Sequence, residues 1–171
     1  LMFVPALMGL LSIPLGRVLR WLFLFFTTSA TAIVLVFVRP GMASDLMLSL
    51  PIPMVGQFVT FHFALTYTSW FFLIMSSLAT SAFTLFSLVF NDEKHDSGTA
   101  PLYLALWGAG NGVFLAADWI SFFIAWEFAS VLTLLIVGHK KRAAVDAGVW
   151  YFAVSALGSL FLFTCAWWVV R

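Results

Sequence analysis

Glu127 makes the strongest chemical demand in this sequence. It stands in "SFFIAWEFASVLTLLIVG" (Ser121–Gly138), a run with no other charge. Counted from Trp119 it lies eight residues into a helix, about 12 Å along the axis and close to the midplane of a bilayer. A charged side chain at that depth disfavours insertion by about 2.5–3.5 kcal/mol, more if it stays ionised and unpaired. Such a group is kept where it faces a bundle interior, and the chemistry open to it is the uptake and release of a proton. Ser130, one turn later on the same face, offers a hydroxyl that both donates and accepts. The plainer alternative is a protonated carboxyl hydrogen-bonded in a helix contact.

Other polar residues lie nearer the membrane surfaces. Asp118 falls at a turn, where a carboxylate reaches the headgroups or caps the following helix by accepting from its orphan N–H groups. His139, Lys140, Lys141 and Arg142 form a basic end to the helix of Glu127, suited to its dipole and to lipid phosphates. Asp118, His139, Lys140 and Lys141 are therefore secondary candidates in a relay through Glu127 and Ser130. His62 reads as an interfacial or packing histidine.

No glycine-rich phosphate loop, nucleophile elbow, paired cysteines or histidine cluster is present in the sequence. Hence no catalytic site, no cofactor and no metal centre is expected within it. Cys165 is a lone cysteine in an apolar run, which excludes an intrachain disulfide and reads as a small buried hydrophobe. A net charge of +1 with no basic stripe gives no reason to expect nucleic acid. The apolar start lacks a basic n-region, so no removable signal peptide is expected.

The elements that must carry these residues are membrane helices. Hydrophobic residues make up 63% of the chain, aromatics 18% and charged residues only 9%, too little charge to coat a soluble domain. Charges and turn residues divide the apolar runs into six spans. These are about Met2–Leu15, Trp21–Val38, Tyr67–Phe90, two spans folded back near Asp118 within Pro101–Gly138, and about Val149–Val170. "PIP" (Pro51–Pro53) lies in a loop, Phe58–Thr66 is an interfacial or re-entrant lead-in, and "NDEKHDSG" (Asn91–Gly98) is a surface loop. The expected fold is an all-α polytopic membrane bundle of about six helices, a single transmembrane domain over residues 1–171.

Arg17, Arg20, Lys94, Lys140, Lys141 and Arg142 fall on one side of that bundle, and Arg39 and Arg171 on the other. The positive-inside rule then puts the "HKKR" loop in the cytoplasm and both termini outside. Gly108 and Gly112 in the fourth span, with Ala144, Gly148, Ser155 and Ser159 around the sixth, are small residues that let helices approach in lipid.

The stretch "FLAADWISFFIAWEFASVLTLLIVG" (Phe114–Gly138) puts an acidic turn before aromatics, Trp-Glu and a Leu/Ile-rich run with a basic end. It resembles the fifth-helix motif of antiporter-like subunits shared by NADH:quinone oxidoreductase, multisubunit sodium/proton antiporters and membrane-bound hydrogenases. "AAVDAGVWYFAVSALGSLFLF" (Ala143–Phe163) is similar to the sixth helix of that family. The resemblance implies a module that translocates protons or sodium ions among other membrane subunits, in a bacterial cytoplasmic (inner) membrane. It implies that Glu127 is the half-channel carboxylate that pairs with a lysine on a seventh helix. Family members have about fourteen helices, of which these residues cover six. Trp150 stands where a lysine is common in the sixth helix, and Thr66 where an aspartate often precedes the third. Two further readings stay open: a non-conducting structural subunit of such a complex, or a membrane subunit of an inorganic-carbon uptake complex.

Overall fold

The computed structural model describes residues 3–13, 15–38, 47–54, 57–90, 99–138 and 142–170. Their order is α1 (Phe3–Ser12), α2 (Arg17–Phe37), β1 (Met47–Met54), β2 (Gln57–Ala64), α3 (Tyr67–Phe90), α4 (Thr99–Leu115), α5 (Trp119–Gly138) and α6 (Arg142–Val170). The chain forms the all-helical membrane bundle its composition dictates, with one hairpin added. Among the described residues four helices, α2, α3, α5 and α6, are long and apolar enough to cross a membrane. At 17 residues α4 is about 25 Å long, near the lower limit for a span.

The first segment is shorter than its apolar run suggested. α1 has 10 residues, about 15 Å, or half a hydrocarbon core. It stops at Ser12, two residues before Pro14, and Arg20 of α2 binds the carbonyls at and just beyond its end. The Arg20 Nε donates to the Ser12 carbonyl at 3.3 Å, and a terminal guanidinium nitrogen donates to those of Ile13 and Leu15 at 3.1 and 3.0 Å. A cation at the negative end of a helix that supplies the missing donors is a stable stop.

The loop and lead-in expected between the second and third spans are instead an antiparallel hairpin, with Ser49 opposite His62, Pro51 opposite Thr60 and Pro53 opposite Phe58. Proline has no N–H, so both prolines must occupy positions that are not hydrogen-bonded across the pair. This parity turns the N–H of His62 away from β1, toward another partner. It also strips donors from the open edge of β1, which discourages further strand pairing. β2 alternates as a half-buried strand should: Phe61 is buried and Phe63 half-buried, whereas Thr60 and His62 are exposed.

α2 packs on α3, α1 on α4, and α4, α5 and α6 follow one another in a row. Lipid is as apolar as leucine, so close packing and interhelical hydrogen bonds must hold these pairs. The α2–α3 contact is lined by Thr28, Ala32, Ser77, Ser81 and Thr84, all buried. Across it the Ser81 hydroxyl donates to Thr28 Oγ1 at 2.9 Å. Trp70 Nε1 donates to the Leu35 carbonyl at 2.7 Å, pinning the start of α3 to the end of α2. One apolar cluster joins Trp21, Leu24, Ala100, Leu104 and Trp107. A second, of Leu35, Leu73 and Leu115 with Phe63 against it, seats the hairpin on the helix ends.

Candidate functional site

α5 carries two contact stripes and one uncovered stripe. Ser121, Ala125, Leu132 and Ile136 are buried along one face. Roughly opposite, Phe123, Ser130 and Leu134 meet α6. Phe123 packs edge-on against Phe163 with centroids 5.4 Å apart, and the Ser130 and Ser155 hydroxyls are 2.9 Å apart. Leu134 lies so near Gly148 that a Cβ there would meet its Cδ1 at 2.9 Å. Ile120, Ile124, Phe128, Val131 and Leu135 form the uncovered stripe, each exposed.

Glu127 stands at the border between the α6 contact and that uncovered stripe, four residues after Phe123 and three before Ser130. It is half-buried, and among the described residues its carboxyl has no hydrogen-bond or ion-pair partner. The structure therefore places Glu127 and Ser130 on neighbouring positions of one helix flank, and Ser155 of α6 beside Ser130. Trp126 stacks on Phe122 at 5.9 Å, on the side of the helix away from the uncovered stripe. Trp150 is 73% exposed on α6 and does not turn toward α5.

Asp118 does different work at the outer end of the helix. One carboxylate oxygen accepts the Ser121 N–H at 2.8 Å, which makes Asp118 the N-cap of α5. The other accepts the Ser121 hydroxyl at 2.6 Å and the His62 N–H at 2.8 Å. The Ser121 hydroxyl oxygen also accepts the His62 N–H, at 2.9 Å, and Ala117 donates its N–H to the His62 carbonyl at 2.8 Å. Partial burial pushes the Asp118 carboxyl up, but the bonds from the Ser121 hydroxyl and from the N–H groups of Ser121, His62 and Ile120 outweigh it. The carboxyl is held below the usual carboxylate range. The side chain of His62 is exposed, and its backbone rather than its imidazole makes the contact.

His139, Lys140 and Lys141 lie outside the described residues. Two features were not singled out as site components from sequence. Ser155 carries no local signal, because only the α5–α6 register brings it to Ser130. The cap of Asp118 on α5 was expected from sequence, but its tie to β2 was not, because the strand itself was not foreseen.

Residues 116–171 match the family model described as NADH:quinone oxidoreductase/Mrp antiporter, TM. That segment contains Asp118, Glu127, Ser130 and Ser155. The fold is similar to that of a chain of the membrane-bound sulfane sulfur reductase, an archaeal respiratory membrane complex. The TM-score is 0.73 at 20% identity, over 95% of the present chain and 26% of that one. The present residues thus span about a quarter of that chain's length. No match was found among curated proteins.

Proposed function

We propose that these helices belong to an antiporter-like membrane subunit of a multisubunit complex, and that Glu127 is a proton-relay carboxylate within it. One observation carries this reading. In the segment that matches the antiporter family, the acid deep within a span has no partner among the described residues, and it borders a stripe that the bundle leaves uncovered. An intramembrane carboxylate is retained where a bundle interior or a counter-charge receives it. A further helix laid against Ile124, Val131 and Leu135 would enclose Glu127 and supply that charge. Movement of the charge would favour the ionised form in one state and the protonated form in the other. The ion carried is a proton in this reading, with sodium as the other cation of the same class. The setting is the cytoplasmic membrane of a bacterium, with further membrane subunits and the lipid bilayer as partners.

Replacement of Glu127 by Gln in the assembled complex tests the proposal, because Gln keeps the size but releases no proton. Proton uptake into vesicles should fall sharply while assembly on a native gel is retained. Undiminished uptake in that variant would refute the relay. The exposed Trp150, where the family often has a lysine, favours a second reading: a subunit that docks and conducts nothing. That reading takes the lead if Glu127→Gln abolishes assembly.

A further inference from the structure

Ser130 behaves unlike the other hydroxyls near it. A serine or threonine inside a helix usually turns its proton to the carbonyl four residues earlier. Thr133 does so to Ala129, Ser159 to Ser155 and Thr164 to Leu160, at 2.8 to 3.0 Å. Ser130, only 4% exposed, makes its one hydrogen bond among the described residues across to Ser155 of α6.

Either oxygen of that pair can donate. Each hydroxyl has one proton and two acceptor positions. When Ser155 donates, Ser130 keeps its own proton for another acceptor. Glu127, three residues back on the same flank, is the nearest position on that helix with a carboxyl to accept it. Positions so spaced hold their Cβ atoms about 5–6 Å apart, within reach of a carboxyl–hydroxyl bond after a rotamer change.

We infer that Ser155 is a positioning residue for Glu127: it draws the Ser130 hydroxyl off its own helix and leaves its proton to the Glu127 carboxyl. The use of this arrangement in transport rests on the relay reading, but the arrangement itself is testable without transport. The other titratable or charged residues on elements around α5 are His62 of β2, Asp118 at the turn, Tyr103 of α4, and Arg142, Asp146, Tyr151 and Cys165 of α6. Among the described residues none of these is bonded to Glu127, and Ser130, three positions on, is its polar neighbour on the helix flank.

Infrared difference spectra between acidic and alkaline pH, taken on the assembled complex in lipid vesicles, read the C=O stretch of protonated Glu127. Its disappearance in Glu127→Gln identifies the band. Ser155→Ala should move the band to higher frequency, because a hydrogen bond to the carboxyl is lost, and Ser130→Ala should do the same. Ser155→Thr, which restores the hydroxyl, should leave it in place. Ser159→Ala removes a hydroxyl from the same interface, yet that hydroxyl serves its own helix, so the band should stay. An unmoved band in Ser155→Ala, or an equal movement in Ser159→Ala, overturns the inference. If Ser155→Ala fails to assemble, an unmoved band in Ser130→Ala overturns it alone. Loss of the relay reading would instead appear as normal proton uptake by Glu127→Gln, whatever the band does.

Discussion

The carboxylate of Asp118 accepts the backbone N–H of His62 at 2.8 Å, from 56 positions earlier in the chain. The same carboxylate caps α5. One side chain thus fixes both where the Glu127 helix begins and where the hairpin rests.

Loss of that side chain should loosen both elements together. Asp118→Ala is expected to cost about 1 kcal/mol, the typical value for an N-cap, with a further loss because the His62 N–H is left with its Ser121 Oγ bond alone. Hydrogen exchange should speed up at the amides of both His62 and Ser121. Faster exchange at Ser121 alone would mean that the hairpin is held by other contacts. Asp118→Asn keeps one acceptor and should lie between the two, with a smaller effect on transport than Glu127→Gln.

The pH dependence of this tie has a fixed sign. A carboxyl whose folded value lies below its unfolded value stabilises the fold above the ordinary carboxylate range. The contribution fades as pH falls below about 4 and is gone once pH passes below the folded value. The melting temperature of the native chain should therefore exceed that of Asp118→Asn at pH 6 and approach it as pH drops through this window. A gap that widens in acid would contradict the hydrogen-bonding scheme.

Glu127→Asp keeps an acid on a shorter arm. Proton uptake should remain measurable but below the native level, and above that of Glu127→Gln. If Asp is as inactive as Gln, reach matters more than charge. The same vesicles test autonomy: the chain by itself, without partner subunits, should not conduct protons, since its carboxylate lacks a counter-charge among the described residues.

The close approach of α6 to α5 at Gly148 gives a packing prediction. A Cβ there would meet Leu134 Cδ1 at 2.9 Å, so Gly148→Val should push the helices apart and break the Ser130–Ser155 bond. Gly158 has nothing within 4 Å of a built Cβ, and Gly158→Val should be tolerated in the isolated chain. Cysteine cross-linking between positions 130 and 155 should drop in the first variant and persist in the second.

Orientation rests on the distribution of basic residues alone. A cysteine placed near Asp45 should be labelled from outside the cell, and one near Lys141 should be protected. The reverse pattern would invert the bundle.

The long helices were legible as apolar runs, set off by charge at most of their ends and, at Tyr67, by the length that one span can have. Tyr67–Phe90 and the Trp119 start of α5 coincide with their sequence-based limits. The hairpin was harder to see. "VTFHFA" (Val59–Ala64) does alternate, but its apolar content and the prolines of the preceding stretch masked a strand whose prolines sit at positions without a ladder bond. The shortness of α1 was partly legible, since Pro14, Arg17 and Arg20 mark its end in the sequence; the bonds from Arg20 back to Ser12, Ile13 and Leu15 were not. Glu127 was conspicuous by chemistry, while Ser155 became visible only through the α5–α6 register.

The hydroxyls inside the spanning helices bear on how such a chain is made. Thr27, Thr28 and Thr31 of α2 donate to carbonyls of their own helix, as does Ser77 of α3, and Ser81 Oγ lies 2.8 Å from the Ser77 carbonyl as well as within reach of Thr28. A hydroxyl that can donate to its own helix carries little penalty while that helix waits alone in lipid. Since Ser81 Oγ reaches both the Ser77 carbonyl and Thr28 Oγ1, a turn of one hydroxyl is enough to trade a bond within α3 for one to α2, and no naked donor need cross the membrane for the two helices to join.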